Sequence, residues 1–78
     1  MVEVHLFGAA SAAVGTTILS VEASSVAELK RHLGDRGGPR MLEVLARSSL
    51  LVDGIAAKAE VDLRYASRVD VLPPFAGG

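Results

Sequence analysis

The sequence predicts an α+β fold, a mixed sheet of four to five strands with one main helix and one short helix. Three observations carry this. Apolar and polar residues alternate in Val2-Glu3-Val4-His5-Leu6-Phe7 and again in Val69-Asp70-Val71-Leu72. That period of two marks strands with one buried face. Between them, Ser25-Val26-Ala27-Glu28 opens a stretch with apolar residues at helical spacing. Third, Asp53-Gly54 follows the apolar run Leu50-Leu51-Val52, a turn signal after a short strand.

In chain order, Val2, Val4 and Leu6 share one strand face, and Glu3, His5 and Phe7 the other. Gly8 to Gly15 is rich in Ala, Ser and Gly and reads as a loop. Thr16 to Val21 is β-branched and alternating, a second strand that forms an antiparallel hairpin with the first. Ser25 and Glu28 have capping-box spacing, with Glu28 able to reach back to the cap. Val26, Leu29 and Leu33 then make a core-facing stripe. Gly34 or Gly37-Gly38 ends that helix, with Lys30, Arg31, His32 and Arg36 near its negative end. Pro39 starts a second, short helix on which Met41, Leu42 and Leu45 share a face. Leu50-Leu51-Val52 is a short buried strand. Within Ile55 to Tyr65 only Leu63 reads clearly, as an inward residue. The final strand stops at Pro73-Pro74. Placing the first and last strands side by side and parallel, with the helix across one face, gives a β-grasp. Element order alone leaves ferredoxin-like and other α+β arrangements open.

Composition narrows the function. A chain of 78 residues forms one domain with a small core and little room for an enclosed active site. Eight basic and nine acidic residues give a net charge of −1, and the chain has one Tyr and two Phe. Nucleic-acid binding needs a basic face or a stacking platform, so neither route is open. No apolar run approaches a membrane span, and Met1-Val2-Glu3-Val4-His5 does not read as a signal peptide, so the expected location is cytoplasmic. Cysteine is absent. Side-chain thiol chemistry, disulfides and Cys-based zinc sites are excluded with it.

No catalytic constellation emerges. Glu28 and His32 stand four residues apart but lack a third ligand, and read as a solvated pair. His5 has no nucleophile to serve. Ser48-Ser49 lacks a Gly-x-Ser-x-Gly frame and looks like a helix stop. Gly34 to Gly38 lacks the Lys-Ser/Thr of a phosphate loop.

The distinctive segment is Leu72-Pro73-Pro74-Phe75-Ala76-Gly77-Gly78. It divides the chain into a domain over 1–72 and an extended tail over 73–78. Two prolines restrict the tail and lower the entropy lost on ordering it. Phe75 can anchor it, worth about 1.5–3 kcal/mol if buried in a partner. Gly77 and Gly78 have no side chain to clash in a narrow channel. Six residues span roughly 20 Å.

Element order and ending together resemble the ubiquitin-like sulfur carriers, and most closely the small subunits of molybdopterin synthase. Four stretches carry the resemblance: Val4-His5-Leu6-Phe7-Gly8-Ala9 with Val14-Gly15-Thr16; Ser25-Val26-Ala27-Glu28-Leu29; Leu51-Val52-Asp53-Gly54; and Val69 through Gly78. Pro73-Pro74 favours the molybdopterin branch over the thiamin sulfur carriers, which share Gly-Gly. One departure stands out. Where the family has an Asp-Gly-Asp-Glu-like turn, this chain has Tyr65-Ala66-Ser67-Arg68, which leaves the local turn open.

The resemblance implies a non-catalytic, sulfur-carrying subunit. An activating adenylyltransferase, like those that activate ubiquitin, uses ATP to adenylate the Gly78 carboxylate. A sulfur donor makes the thiocarboxylate, which delivers sulfur inside a large catalytic subunit. The chain itself binds no cofactor or metal. Phe7 and Leu72, on the sheet face away from the helix, would dock these partners together with Pro73, Pro74, Phe75, Ala76 and Gly77. Sulfur delivery to thiamin or cysteine synthesis, or a ubiquitin-like modifier or binding module, are the alternatives.

Overall fold

The computed structural model describes residues 1–57 and 61–73. Its elements are β1 (Val2–Leu6), α1 (Ala9–Val14), β2 (Ile18–Val21), α2 (Val26–Arg47), β3 (Ser49–Val52), β4 (Ile55–Ala56) and β5 (Arg68–Leu72). They form one sheet in the order β2-β1-β5-β3-β4. The two terminal strands β1 and β5 are parallel and adjacent, with Val4 beside Val69 and Leu6 beside Val71. The other pairs are antiparallel. This is the β-grasp arrangement.

The alternation read in the sequence does its expected work. Val2, Val4, Leu6, Val69 and Val71 are buried on one face, where Val26, Leu29, Leu33, Met41 and Leu45 of α2 cover them. Leu63 joins this core at 2% exposure. At α2's start the Ser25 hydroxyl accepts from the Glu28 N–H at 3.1 Å. The Glu28 carboxylate reaches one residue further back than a capping box requires, accepting from the Ser24 N–H at 2.9 Å.

Three local expectations change. The Gly8–Gly15 stretch is a six-residue helix, α1, and not a loop. Alanine suits a helix, the Ser11 hydroxyl donates to the Gly8 carbonyl at 2.8 Å, and left-handed Gly15 closes the end, its N–H bonding the Ser11 carbonyl. The expected helix from Pro39 is present as the second arm of α2, past a kink at Gly38 (φ 73°, ψ −162°). That conformation is accessible to glycine, and Pro39 then restarts the helix without needing an N–H partner. Leu42 is 56% exposed and does not share the buried face of Met41 and Leu45. It lies instead over Gly34, where an added Cβ would come within 2.5 Å of Leu42 Cδ2.

Asp53 and Gly54 form the β3–β4 turn as expected, both with positive φ. The β3 run is less buried than its composition suggests: Leu50 is in the core, but Leu51 and Val52 are only partly covered. Their neighbour β4 has two residues and leaves that side of the sheet thinly flanked.

Candidate functional site

Because α2 covers one face of the sheet, the other is open among the described residues. Its residues follow from the pleat and register. Glu3 lies beside Arg68 and His5 beside Asp70 on the two central strands. Ile18 and Ser20 extend these rows across β2, and Leu51 extends the Asp70 row across β3. Each central strand pairs its own polar side chains. His5 Nε2 donates to Glu3 Oε1 at 2.7 Å, and Arg68 Nε donates to Asp70 Oδ1 at 2.7 Å. The middle of the face is therefore polar and internally satisfied.

One end of this face is apolar. Phe7 follows β1 and is 40% exposed. The parallel register, continued one step past Leu6 and Val71, sets it beside Leu72, which is partly buried and opposite Ser49 of β3. Both expected docking residues thus lie on the face away from α2. They also lie where β5 ends and Pro73 begins.

The chain is held at that point. The Phe7 N–H donates to the Val71 carbonyl at 3.3 Å, and the Ala10 N–H donates to the Phe7 carbonyl at 3.2 Å. Gly8 takes φ 58° and ψ −127°, a backbone shape costly for any residue with a side chain. A Cβ there would sit 3.5 Å from Pro73 Cβ, so the Phe7-Gly8 corner packs directly against Pro73. Pro73 itself is partly buried. The remaining expected site residues, Pro74, Phe75, Ala76, Gly77 and Gly78, lie outside the described residues.

Two other candidates have local backbone partners. Glu28 is occupied by the Ser24 N–H. Ser48 caps α2, its hydroxyl donating to the Val44 carbonyl at 2.6 Å. No cluster of three metal-ligating side chains occurs among the described residues. Nor is any helix among them long and apolar enough to cross a membrane. The Arg64 guanidinium hydrogen-bonds the exposed Asp62 carboxylate, at 2.8 Å from Nη2, and holds it below the usual carboxylate range. Asp62 in turn raises Arg64.

The turn without a family-like glycine is closed by Asp53, which also shapes the β3–β4 turn. Asp53 Oδ1 accepts from the Arg68 N–H at 2.9 Å and from the Ser67 N–H at 3.2 Å. The signal was faint: a carboxylate fourteen residues from its partner has no local pattern to reveal it.

The fold has a close structural counterpart. A crystal structure of SAMP1 from Haloferax volcanii superposes with a TM-score of 0.80, covering 99% of this chain and 98% of that one at 19% identity. At that identity the likeness speaks for the fold alone. No curated protein matches the chain. The match to a family covers residues 4–78, from β1 through the glycine pair, and on that span the chain belongs to the ThiS family.

Proposed function

We propose that this chain is a sulfur carrier whose Gly78 carboxylate is adenylated by an ATP-dependent activating enzyme and converted to a thiocarboxylate. Its recipient is the large subunit of a molybdopterin synthase, for which it serves as the small subunit. Membership of the ThiS family supports a sulfur-carrier or ubiquitin-like modifier role at the coarser level. Pro73-Pro74 favours the molybdopterin branch, and the single observation that best supports a carrier docking on protein partners is the placement of Phe7 and Leu72. They form an apolar edge of the open face at the point where Pro73 leaves the sheet.

The chemistry follows from the residues available. The chain has no cysteine, so a sulfur cargo needs a non-thiol attachment point, and a terminal carboxylate is one. A carboxylate is a poor acyl donor until one of its oxygens attacks the α-phosphorus of ATP and displaces pyrophosphate, which leaves AMP on that oxygen as a good leaving group. The acyl-adenylate then accepts sulfide sulfur at its carbonyl carbon, AMP departs with the bonding pair, and the thiocarboxylate remains. The domain orients this end without touching the reaction. Apolar burial of Phe7 and Leu72 against a partner supplies affinity, and Pro73-Pro74 limits the entropy lost when the tail enters a channel.

Mass spectrometry of the full chain, after incubation with its activating enzyme, ATP and a sulfide source, tests this. The expected product carries the mass gain of one oxygen exchanged for sulfur. One residue appended after Gly78 should abolish it. An unchanged yield from the extended chain overturns the reading, as does a branched Gly-Gly remnant on lysines in place of the thiocarboxylate. The latter would mark a protein modifier. Conversion of a molybdopterin precursor by the purified thiocarboxylate with a large synthase subunit separates this pathway from thiamin or cysteine synthesis.

A further inference from the structure

We propose that the outer edge of β2 is a second docking site, which takes a short extended segment of a partner polypeptide as an added antiparallel strand. It does not depend on the fate of Gly78. The edge is defined by hydrogen-bond alternation. The Leu6 N–H donates to the Thr17 carbonyl at 2.8 Å, and Val4 and Val2 face Leu19 and Val21 in the same register. Thr17, Leu19 and Val21 therefore turn their backbone groups toward β1, and Ile18 and Ser20 turn theirs outward. The two outward residues are not equivalent. Thr16 Oγ1 accepts from the Ile18 N–H at 3.4 Å and donates to the Ile18 carbonyl at 3.0 Å, which blunts the edge there. Among the described residues no such partner serves Ser20, which is exposed.

A groove of about 350 Å³ runs along this same edge, between Leu19, Ser20, Val21 and Glu22 on one bank and His32, Asp35 and Arg36 of α2 on the other. Unpaired strand edges beside a groove are the substrate of strand addition, with main-chain bonds for affinity and alternate pockets for specificity.

Register sets the occupant's chemistry. One residue pairs with Ser20 through both backbone bonds. Its two neighbours turn to the α2 side, beside Leu19 and Val21, and suit aliphatic side chains. One flanking residue meets exposed Ile18 and suits an apolar side chain, and the other meets Glu22 and suits a cation. Read antiparallel, this is a strand of lysine, valine, threonine, valine and isoleucine. A second copy of this chain fits worse. Symmetric pairing about Ser20 would set Ile18 against Glu22 and bring the two Arg36 walls together.

The capped pentapeptide Lys-Val-Thr-Val-Ile is the probe, titrated into the isotope-labelled full chain and followed by amide chemical shifts. Shifts should cluster at Leu19–Glu22 and His32–Arg36. N-methylation of the peptide's threonine should weaken binding about tenfold, the worth of one hydrogen bond. It leaves the protein untouched, so folding is not in question. Glu22→Lys should weaken the same peptide, and a glutamate-first peptide should restore binding. Absence of shifts up to about 5 mM peptide, beyond the weak end of specific affinity, overturns the proposal. So do indifference to N-methylation, shifts centred on Phe7 and Leu72, or concentration-dependent self-association through β2 without peptide.

Discussion

Asp53 and Arg68 hold each other reciprocally: the Asp53 N–H donates to the Arg68 carbonyl at 2.9 Å, and Asp53 Oδ1 accepts from the Arg68 N–H at 2.9 Å. The pair extends the antiparallel register of Val52 and Val69 by one step. It ties the β3–β4 turn to the start of the central strand β5. Asp53 also sits at φ 48°, a left-handed conformation that Asp and Asn tolerate better than most residues. One side chain thus serves the turn's shape and the entry of β5.

Asp53→Ala should therefore destabilise the domain by about 1–3 kcal/mol, because two backbone donors lose a charged acceptor and the backbone loses a tolerant residue. Asp53→Asn should recover much of this, since its amide oxygen can still accept from Arg68. Urea unfolding of both variants checks it. Equal loss in the two would show that charge matters and geometry does not.

The two α2 glycines without positive φ should respond differently to alanine. At Gly37 a Cβ would meet Met41 Cβ at 2.5 Å and the Ala13 carbonyl at 3.3 Å, neither of which can swing away. Gly37→Ala should cost about 1–3 kcal/mol as overpacking. At Gly34 the close atom is the mobile end of exposed Leu42. Gly34→Ala should stay within about 1 kcal/mol of the parent, helped by alanine's helix propensity. Thermal unfolding of both variants side by side decides it.

Phe7→Ala and Leu72→Ala should weaken capture by the activating enzyme while leaving the fold intact. Phe7 is already 40% exposed and outside the core. Removing each side chain from a buried interface should cost about 2 kcal/mol, roughly a thirtyfold loss of affinity. Binding by calorimetry, with circular dichroism as the fold control, is the measurement. Wild-type affinity in the Phe7 variant would remove this residue from the docking surface.

Asp62 supplies the pH prediction. Its hydrogen bond from Arg64 lowers its pKa in the folded state. The unfolded chain thus binds more protons in the window between the two values. The stabilisation is present above the unfolded value, about 3.9, and is lost as pH falls through the folded one. Wild type and Asp62→Asn should differ slightly in melting temperature at neutral pH and converge in acid. The pair is exposed, so salt should shrink the difference. A gap that widens in acid would reverse the sign.

Much of this molecule was legible before folding. The alternation of Val2-Val4-Leu6 and of Val69-Val71 determined two half-buried strands, since side chains on a strand alternate faces whatever lies beside them. Ser25 and Glu28 marked the helix start because capping bonds span three or four residues. The missing cysteines, and the run from Pro73 to Gly78, set the C-terminal segment apart by composition alone. Tertiary structure decided what local pattern cannot encode. Only packing showed that Ala9–Val14 is helical, that Leu42 covers Gly34 and not the core, and that Asp53 closes a turn far along the chain. Only the parallel register of β1 and β5 sets Phe7 beside Leu72, because it joins residues from opposite ends of the sequence.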